Sequence, residues 1–444
     1  MNDIANRGAA SGGNWGLSYL AGIPFRTFTS SKRMNAMRDK RLGWLVRHAA
    51  NTIPFYRALL DDHGVNPASV VGFSDLERLP LISRSALRDA GDTAWANDLP
   101  AADRIIASTS GSSDKPLTLA YRFSDRLRKH AIGLHCMSMY GWRPWHRGMA
   151  LGSQALPHSR QLQRLGVSRW TWVDPSRPVK EWLYEYDRLK PHALHSYPSA
   201  LREFCFQARE RGPLKWLPKV LSVGGELSPE ELAPLAVEVF GQAPLVMYGA
   251  VEGGRLAFEC RAQNSLHVRP DAVHIEILKD GQAVGLGETG SVYITSLINT
   301  VMPIIRYELG DLAAWEAGDC SCGLWWPRLR MYQGRKGDVI PLPGGRRIPV
   351  TSLGAIVGKS QNIRQYQFVR RAENTLVLRY EPVGDNGGSL DTVHEMLRQA
   401  LPGIEVQILQ TGQLPRTQSG KVRRYIDECD TTRSEESAGE LPDE

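Results

Sequence analysis

No apolar run in the sequence approaches the length of a membrane span, so the chain reads as having no transmembrane helix. Six cysteines in 444 residues are too few and too scattered for a disulfide framework. Zinc-knuckle, RNA-recognition and helix-turn-helix signatures are missing, so the basic charge lacks the motifs of a nucleic-acid reader. The P-loop pattern Gly-x-x-x-x-Gly-Lys-Ser/Thr is absent as well. The start, Met1 to Leu20, is rich in Gly, Ser and Asn and lacks the basic-then-apolar order of a signal peptide. The expectation is a cytoplasmic protein with neither membrane nor nucleic-acid partners. No internal repeat is apparent.

What is present is the composition of a globular chain with a large core, 42% hydrophobic and 23% charged. The length suits a two-domain enzyme. The formal charge of +7 is unevenly spread: Asp427–Glu444 carries eight acids and one arginine, a net −7, which leaves +14 on the body. A body of that sign suits an anionic small molecule such as ATP. The acidic tail reads as disordered.

Along the chain, helical and strand patterns alternate. Residues 34–62 read as helix through Met34, Met37, Leu42, Leu45, Val46 and Ala49, broken before Pro54. Asp75–Pro80 reads as a loop leading to a helix capped at Ser83. Ser124–Tyr140 has a helical period with Phe123, Leu127, His130, Ala131, Leu134 and Met137 on one side. Met149–Gly152, Ala193–Tyr197 and Val220–Val223 are short apolar runs, each followed by turn residues and a helical pattern, as in βα units. From about Val273 strands and turns dominate, at Val273–Leu278, Gly290–Thr295 and Ile304–Tyr307, before a smaller β-α-β-like block near 347–426. The fold class is therefore α/β: a large N-terminal domain of βα units with mixed sheets and a β-rich subdomain, then a small mobile α+β C-terminal domain. The expected domains are 1–333, 334–426 and a disordered acidic tail, 427–444.

The most distinctive stretch is Ser108-Thr109-Ser110-Gly111-Ser112-Ser113-Asp114-Lys115-Pro116, set between two β-prone runs. Hydroxyls and backbone N–H groups exposed together in such a turn suit phosphate oxygens, though a flexible Ser/Gly turn has the same composition. Among the cysteines, Cys136 and Cys205 read as buried thiols and Cys429 as incidental. Cys260, His267, Cys320 and Cys322 could supply four tetrahedral zinc ligands. The tight Cys-x-Cys spacing fits reduced surface cysteines equally well.

Further motifs follow the Ser/Gly loop in a fixed order: Gly224-Gly225-Glu226, Tyr248-Gly249-Ala250-Val251-Glu252-Gly253-Gly254, Met302-Pro303-Ile304-Ile305-Arg306-Tyr307-Glu308-Leu309-Gly310-Asp311, Gly334-Arg335-Lys336-Gly337-Asp338, and Leu414-Pro415-Arg416-Thr417-Gln418-Ser419-Gly420-Lys421. The ordered set, from about residue 40 to 426, resembles the adenylate-forming superfamily of acyl-CoA ligases, peptide-synthetase adenylation domains and luciferases. Within it the chain looks most like the phenylacetate–CoA ligase family with its capsule-biosynthesis homologues. The segments Arg47-His48-Ala49 to Tyr56-Arg57 and Leu76 to Ile82 look like that family's N-terminal region.

The resemblance implies ATP-dependent activation of a carboxylic acid to an acyl-adenylate, followed by thioester formation with CoA or an acyl carrier protein, in biosynthesis or aromatic-acid metabolism. Attack of a carboxylate on the α-phosphorus builds negative charge, so positive groups, a metal and positioning matter more than an acid–base pair. By resemblance, Ser108 to Ser113 with Lys115 hold the β- and γ-phosphates, and Glu252 binds Mg²⁺. Tyr248 and Gly249 flank adenine opposite the Gly225–Glu226 backbone. Asp311 accepts from the ribose hydroxyls, which suits an acceptor-only carboxylate. Arg335 reaches the ribose or phosphate, Gly337 and Asp338 form the hinge, and Lys421 serves the α-phosphate and carboxylate oxygens. The same resemblance favours a structural Zn²⁺ on Cys260, His267, Cys320 and Cys322, and it accommodates a homodimer.

His135, Tyr140, Tyr197 and Ser199 are substrate-pocket candidates by position. The tryptophans Trp142, Trp145, Trp170, Trp172 and Trp182 lean toward an aromatic acid. The chain departs from the family pattern at Asp114, where Gly is usual, at Val251, where Thr or Ser is usual, and at the hinge Gly337. The first two changes favour an alternative: a degenerate member with weak or no adenylation, acting as a ligand-binding or chaperone-like accessory protein.

Overall fold

The computed structural model describes residues 27, 29–109, 116–152, 163–262, 265–335, 339–343, 347–384, 388–417 and 421–429. Ser110, Gly111, Ser112, Ser113, Asp114, Lys115, Gly337, Asp338 and the tail from residue 430 lie outside the described residues. Among the described residues no helix is long and apolar enough to cross a membrane.

Helix α1 (Ser31–Thr52) stops because Ile53, the residue before a proline, is extended at φ −125°, ψ 110°. Pro54 then opens α2 (Pro54–Asp62) at the first helical position, where no N–H is needed. The buried side of α1 carries Met34, Leu42, Leu45, Val46 and Ala49. Met37, expected on that side, is exposed. At about 100° per residue it falls roughly 60° outside the arc the buried residues occupy. The expected loop at 75–80 is in part a 3-10 turn, Phe73–Arg78, and Ser83 caps the short α3 (Arg84–Asp89) by accepting from the Ala86 N–H.

Strands β1 (Ile105–Ser108) and β2 (Thr118–Tyr121) pair antiparallel, with Ser108 opposite Thr118. A strand, not a helix, thus follows the Ser/Gly segment, as the sequence indicates. Helix α4 (Phe123–Met139) buries Asp125, Ala131, Ile132, Cys136 and Met137, while Phe123 is exposed. Its inner face is therefore set by a stripe through Asp125, Ile132 and Cys136 rather than by Phe123. The Asp125 carboxylate is satisfied there by the Thr300 N–H at 2.9 Å and hydroxyl at 2.8 Å.

The chain divides into two compact units. One comprises 1–109, 116–141 and 247–332; the other comprises 110–115, 142–246 and 333–444. In the second unit, β3 (Arg147–Leu151), β4 (Arg169–Val173), β5 (Ala193–Ser196) and β6 (Val220–Gly224) run parallel in the order β6-β5-β3-β4. The nearly continuous burial of β3, β5 and β6 is that of covered parallel strands, while the edge strand β4 is partly open. The cover is α5 (Val179–Leu189), α6 (Pro198–Arg211) and α7 (Leu232–Phe240), whose Trp182, Tyr186, Phe204 and Phe240 form one core.

Centred on the first unit, β7 (Leu245–Ala250), β8 (Gly254–Glu259), β9 (Leu266–Val268), β10 (Val273–Lys279), β11 (Gln282–Ala283), β12 (Gly290–Ser296), β13 (Tyr307–Glu316) and β14 (Arg328–Arg335) are neighbours in sheet order β11-β10-β12-β13-β14-β9-β8-β7, with antiparallel pairing. Strand β10 alternates as a half-covered strand should, with Val273, Ile275 and Ile277 buried. The expected strand at Ile304–Tyr307 begins only at Tyr307. Arg306 stands in the left-handed region at φ 46° and so interrupts an extended run after Pro303. Its guanidinium is buried, paired with Glu276 at 2.7 Å, and donates to the Leu79 and Glu77 carbonyls. That motif arginine ties β10 to the segment at 77–79.

The remaining residues of the second unit include β15 (Val339–Pro341), β16 (Arg347–Pro349), α8 (Val350–Gly358), β17 (Ile363–Ala372), β18 (Thr375–Pro382), α9 (Asp391–Ala400), β19 (Glu405–Gln410) and β20 (Tyr425–Asp427). The last four strands make a sheet of order β19-β18-β17-β20 over a core of its own that includes Leu353, Phe368, Leu378 and Leu397.

His274 offers a pH test of the first unit. Its Nδ1 lies 2.8 Å from an Arg38 N–H and must accept from it, so the ring is neutral. Burial, then Arg38 and Arg306, push its pKa down to about 3. The unfolded chain binds this proton near pH 6.5 and the folded chain does not, so stability is complete above that pH and falls as pH drops toward 3. Chemical denaturation across this window should give a shallower loss in His274→Gln than in the native chain, by up to about 1.4 kcal/mol per pH unit.

Candidate active site

In the second unit, β5 ends at Ser196 and α6 begins at Pro198 with Tyr197 as its N-cap residue, so Tyr197 and Ser199 stand where a parallel strand hands over to a helix. Strand β6 ends beside them at Gly224. The Glu226 carboxylate accepts from the Ser199 N–H and hydroxyl, both at 3.0 Å, capping the start of α6 with negative charge. Gly225 has φ +82°, and a Cβ there would stand 3.0 Å from the Tyr197 ring. The Lys421 ammonium donates to the Gly225 carbonyl at 2.6 Å and lies 5.0 Å from the centre of the Tyr197 ring. Four expected site residues, Tyr197, Gly225, Glu226 and Lys421, thus meet within one unit, with Ser199 beside them.

The segment carrying Lys421 is fixed by its own pairing and by α6. Thr417 N–H donates to the Lys421 carbonyl at 2.8 Å, and Arg416 forms an ion pair with Glu203. Arg202 donates to the Ile363 carbonyl at 2.7 Å and also to that of Arg364, and the Gln365 amide donates to Ser199 O at 2.8 Å.

In the first unit, Tyr248 donates its hydroxyl to the Asp311 carboxylate at 2.8 Å, bringing together two residues expected at a nucleoside. Gly249 lies at a β-bulge of the β7–β8 pair. Glu252 is buried and accepts from the Tyr307 hydroxyl at 3.3 Å. Ser108 ends β1, and Thr109 spends its hydroxyl on the Leu117 N–H and the Arg84 guanidinium, each at 2.9 Å. Arg335 ends β14. His135 bonds Thr27 at 3.0 Å and meets the Arg269 guanidinium, and burial first, then Arg269, push its pKa down to about 3. Tyr140 is buried with its ring against Phe258. Of the tryptophans, Trp182 is core, Trp142 and Trp170 pack on each other, and Trp145 is exposed.

Cys260, His267, Cys320 and Cys322 place one ligand atom each within 4.8 Å of all the others. The Cys260 and Cys320 sulfurs are 3.5 Å apart, and Cys322 Sγ is 3.3 Å from His267 Nε2. A tetrahedral site with Zn–S near 2.3 Å has edges of about 3.8 Å, so the cluster has the size of such a site. Cys136 and Cys205 are buried thiols, as expected.

Sequence reasoning missed Lys129. Its Nζ donates to the Val251 carbonyl at 2.6 Å, and the Tyr121 hydroxyl donates to the same oxygen at 2.6 Å. Burial, with Arg126 and Arg255 acting alongside and Glu252 against, pushes its pKa down to about 7. A signal existed: Asp125, Lys129, Ile132 and Cys136 repeat at helical spacing, so a lysine stands on the inner stripe of α4.

No family model matches the sequence. It is 26% identical over 434 residues to a phenylacetate–coenzyme A ligase of Thermus thermophilus, spanning 89% of this chain and 97% of that protein. The phenylacetate–coenzyme A ligase of Escherichia coli is 26% identical over 440 residues, at 90% and 95% coverage. The chain is a homologue of these ligases. Among solved structures, a 2-hydroxyisobutyryl-CoA ligase with a bound acyl-AMP matches at TM-score 0.73 and 20% identity, over 92% of this chain and 93% of that one. An anthranilate CoA ligase matches at TM-score 0.54 and 14% identity, over 72% and 65%. The fold is the mixed α/β fold of adenylate-forming CoA ligases.

Loss of the α6 cap should be measurable by itself. Glu226→Ala should lower the unfolding free energy by about 1 kcal/mol in urea titrations, because two donors at the helix start lose their acceptor.

Proposed function

We propose that the protein is an ATP-dependent acid–thiol ligase that converts a carboxylic acid, aromatic in class, to an acyl-adenylate and then to a thioester of CoA or a carrier protein. The observation that carries this reading is Lys421 set on the Gly225 carbonyl and over Tyr197, at the carboxyl ends of β5 and β6. A cation there can neutralise carboxylate and α-phosphate oxygens as their charge develops. The homology to ligases named for phenylacetate and coenzyme A supports both the substrate class and the acceptor. It also favours an enzyme over an accessory binding protein.

Glu252, Tyr248 and Asp311 stand in the first unit. A buried, acceptor-only carboxylate is the ligand type Mg²⁺ takes, so Glu252 fits that ion. Bound Mg²⁺ would supply charge neutralisation on phosphate oxygens. Asp311, already accepting from Tyr248, offers oxygens for a ribose diol. Ser108 to Ser113, Lys115 and Arg335 are assigned to the phosphates, Gly337–Asp338 to a hinge, and residues 334–426 to a lid domain carrying Lys421. His135, Tyr140, Tyr197 and Ser199 are the candidates for contact with the acid.

The Cys260, His267, Cys320 and Cys322 set fits a structural Zn²⁺ in number, softness and size. It would tie the start of the loop after β8 to the turn after β13, supporting the strands that bear Tyr248 and Asp311.

Pyrophosphate exchange assayed over aryl acids should show ATP- and Mg²⁺-dependent turnover with at least one acid. Lys421→Ala should reduce it on the order of 10²–10³-fold with an unchanged unfolding midpoint. No exchange with any acid, together with no detectable ATP binding, would sink the enzymatic reading. Metal analysis should find stoichiometric zinc, lost in Cys320→Ser along with a lowered melting temperature; a metal-free native protein of equal stability would rule the zinc site out.

A further inference from the structure

The turn that carries Glu252 is held by its main chain. A carbonyl oxygen has two lone pairs, and at Val251 both are used, by Lys129 Nζ and by the Tyr121 hydroxyl at 2.6 Å each. The two donors lie 3.2 Å apart, and the ammonium also stands 4.8 Å from the centre of the Tyr121 ring. The Lys129 stem runs over Gly254, whose φ is +78° and where a Cβ would come within 3.0 Å of Lys129 Cγ. A glycine there both adopts the turn and leaves room for the lysine.

Because the peptide group is planar, fixing the Val251 carbonyl fixes the amide from which Glu252 departs. Tyr307 meets the other end of that residue at its carboxylate. Val251 has no side-chain hydroxyl to anchor the turn, so the carbonyl is what remains. Lys129 donates to a neutral carbonyl while the buried Glu252 carboxylate stands next in sequence, and that negative charge offsets part of the desolvation cost of the ammonium.

We propose that Lys129, with Tyr121, is a positioning residue for Glu252: it clamps the Val251 carbonyl and so sets where the Glu252 carboxylate stands to receive a divalent cation with ATP. The inference rests on the reading of Glu252 as the Mg²⁺-binding acid.

Calorimetric titration of ATP into the full chain, with MgCl₂ and with EDTA, measures the gain in ATP affinity that Mg²⁺ confers, without reference to turnover. Lys129→Met should cut that gain on the order of tenfold while leaving affinity in EDTA unchanged. Tyr121→Phe should cut it less, in the same direction. A purely structural lysine would lower the melting temperature and leave the Mg²⁺ gain intact, and that result overturns the proposal. Should Lys129→Met fail to fold, an undiminished gain in Tyr121→Phe overturns it equally. Glu252→Gln separates the two readings. If it keeps the whole gain, the assignment of Glu252 fails. If it loses the gain while Lys129→Met keeps it, that assignment stands and the positioning role falls.

Discussion

Charge placed inside an apolar fold must be answered where it stands, and this constraint shapes the first unit. Arg306 is answered by Glu276 and two carbonyls, Arg269 by Asp271 at 2.8 Å, Asp125 by both donors of Thr300. An isolated buried ion costs several kcal/mol, so each such pair dictates the backbone path around it. Arg306 shows this most directly: its left-handed backbone breaks what would have been one strand, and its guanidinium ties β10 to the segment before Ser83. The motif Pro-Ile-Ile-Arg-Tyr thus does structural work at Arg306 and hands the chain to β13, which carries Asp311.

Much of the architecture was legible because it rests on short-range rules. The break at Pro54, the cap at Ser83 and the parallel βα units followed from proline geometry, capping chemistry and apolar runs. The two helix faces depart from the expected ones for a single reason: apolarity alone does not mark the inner face, since Met37 and Phe123 are apolar yet exposed, while Asp125 is buried. Tertiary partners such as Thr300, distant in sequence by 175 residues, decide which polar group can go inside, and no local period encodes them.

The candidate site was legible to a different degree. The ordered motifs led to Lys421, Gly225, Tyr248, Asp311 and Glu252, and within each unit the expected residues do meet their neighbours. The four-ligand cluster was visible as residue types but not as a site, because a gap of 53 residues between His267 and Cys320 carries no geometry until β9 and the turn after β13 fold. Lys129 was hidden for the opposite reason. A lysine in a helix reads as a solvated cation, and only the position of the Val251 carbonyl makes it otherwise.

The tryptophans bear on the acid. Trp182 fills the core between α5 and the parallel sheet, and Trp142 and Trp170 pack against each other, so their number reflects the packing of this unit. Large aromatic rings bury area efficiently wherever they point. The aromatic class proposed for the substrate therefore rests on homology to phenylacetate–CoA ligases, while the 2-hydroxyisobutyryl-CoA ligase, at a higher TM-score than the anthranilate ligase, shows that the fold also serves an aliphatic acid. Fold likeness at 20% identity fixes the scaffold alone; on a shared scaffold the acyl group is selected by the side chains that differ between relatives.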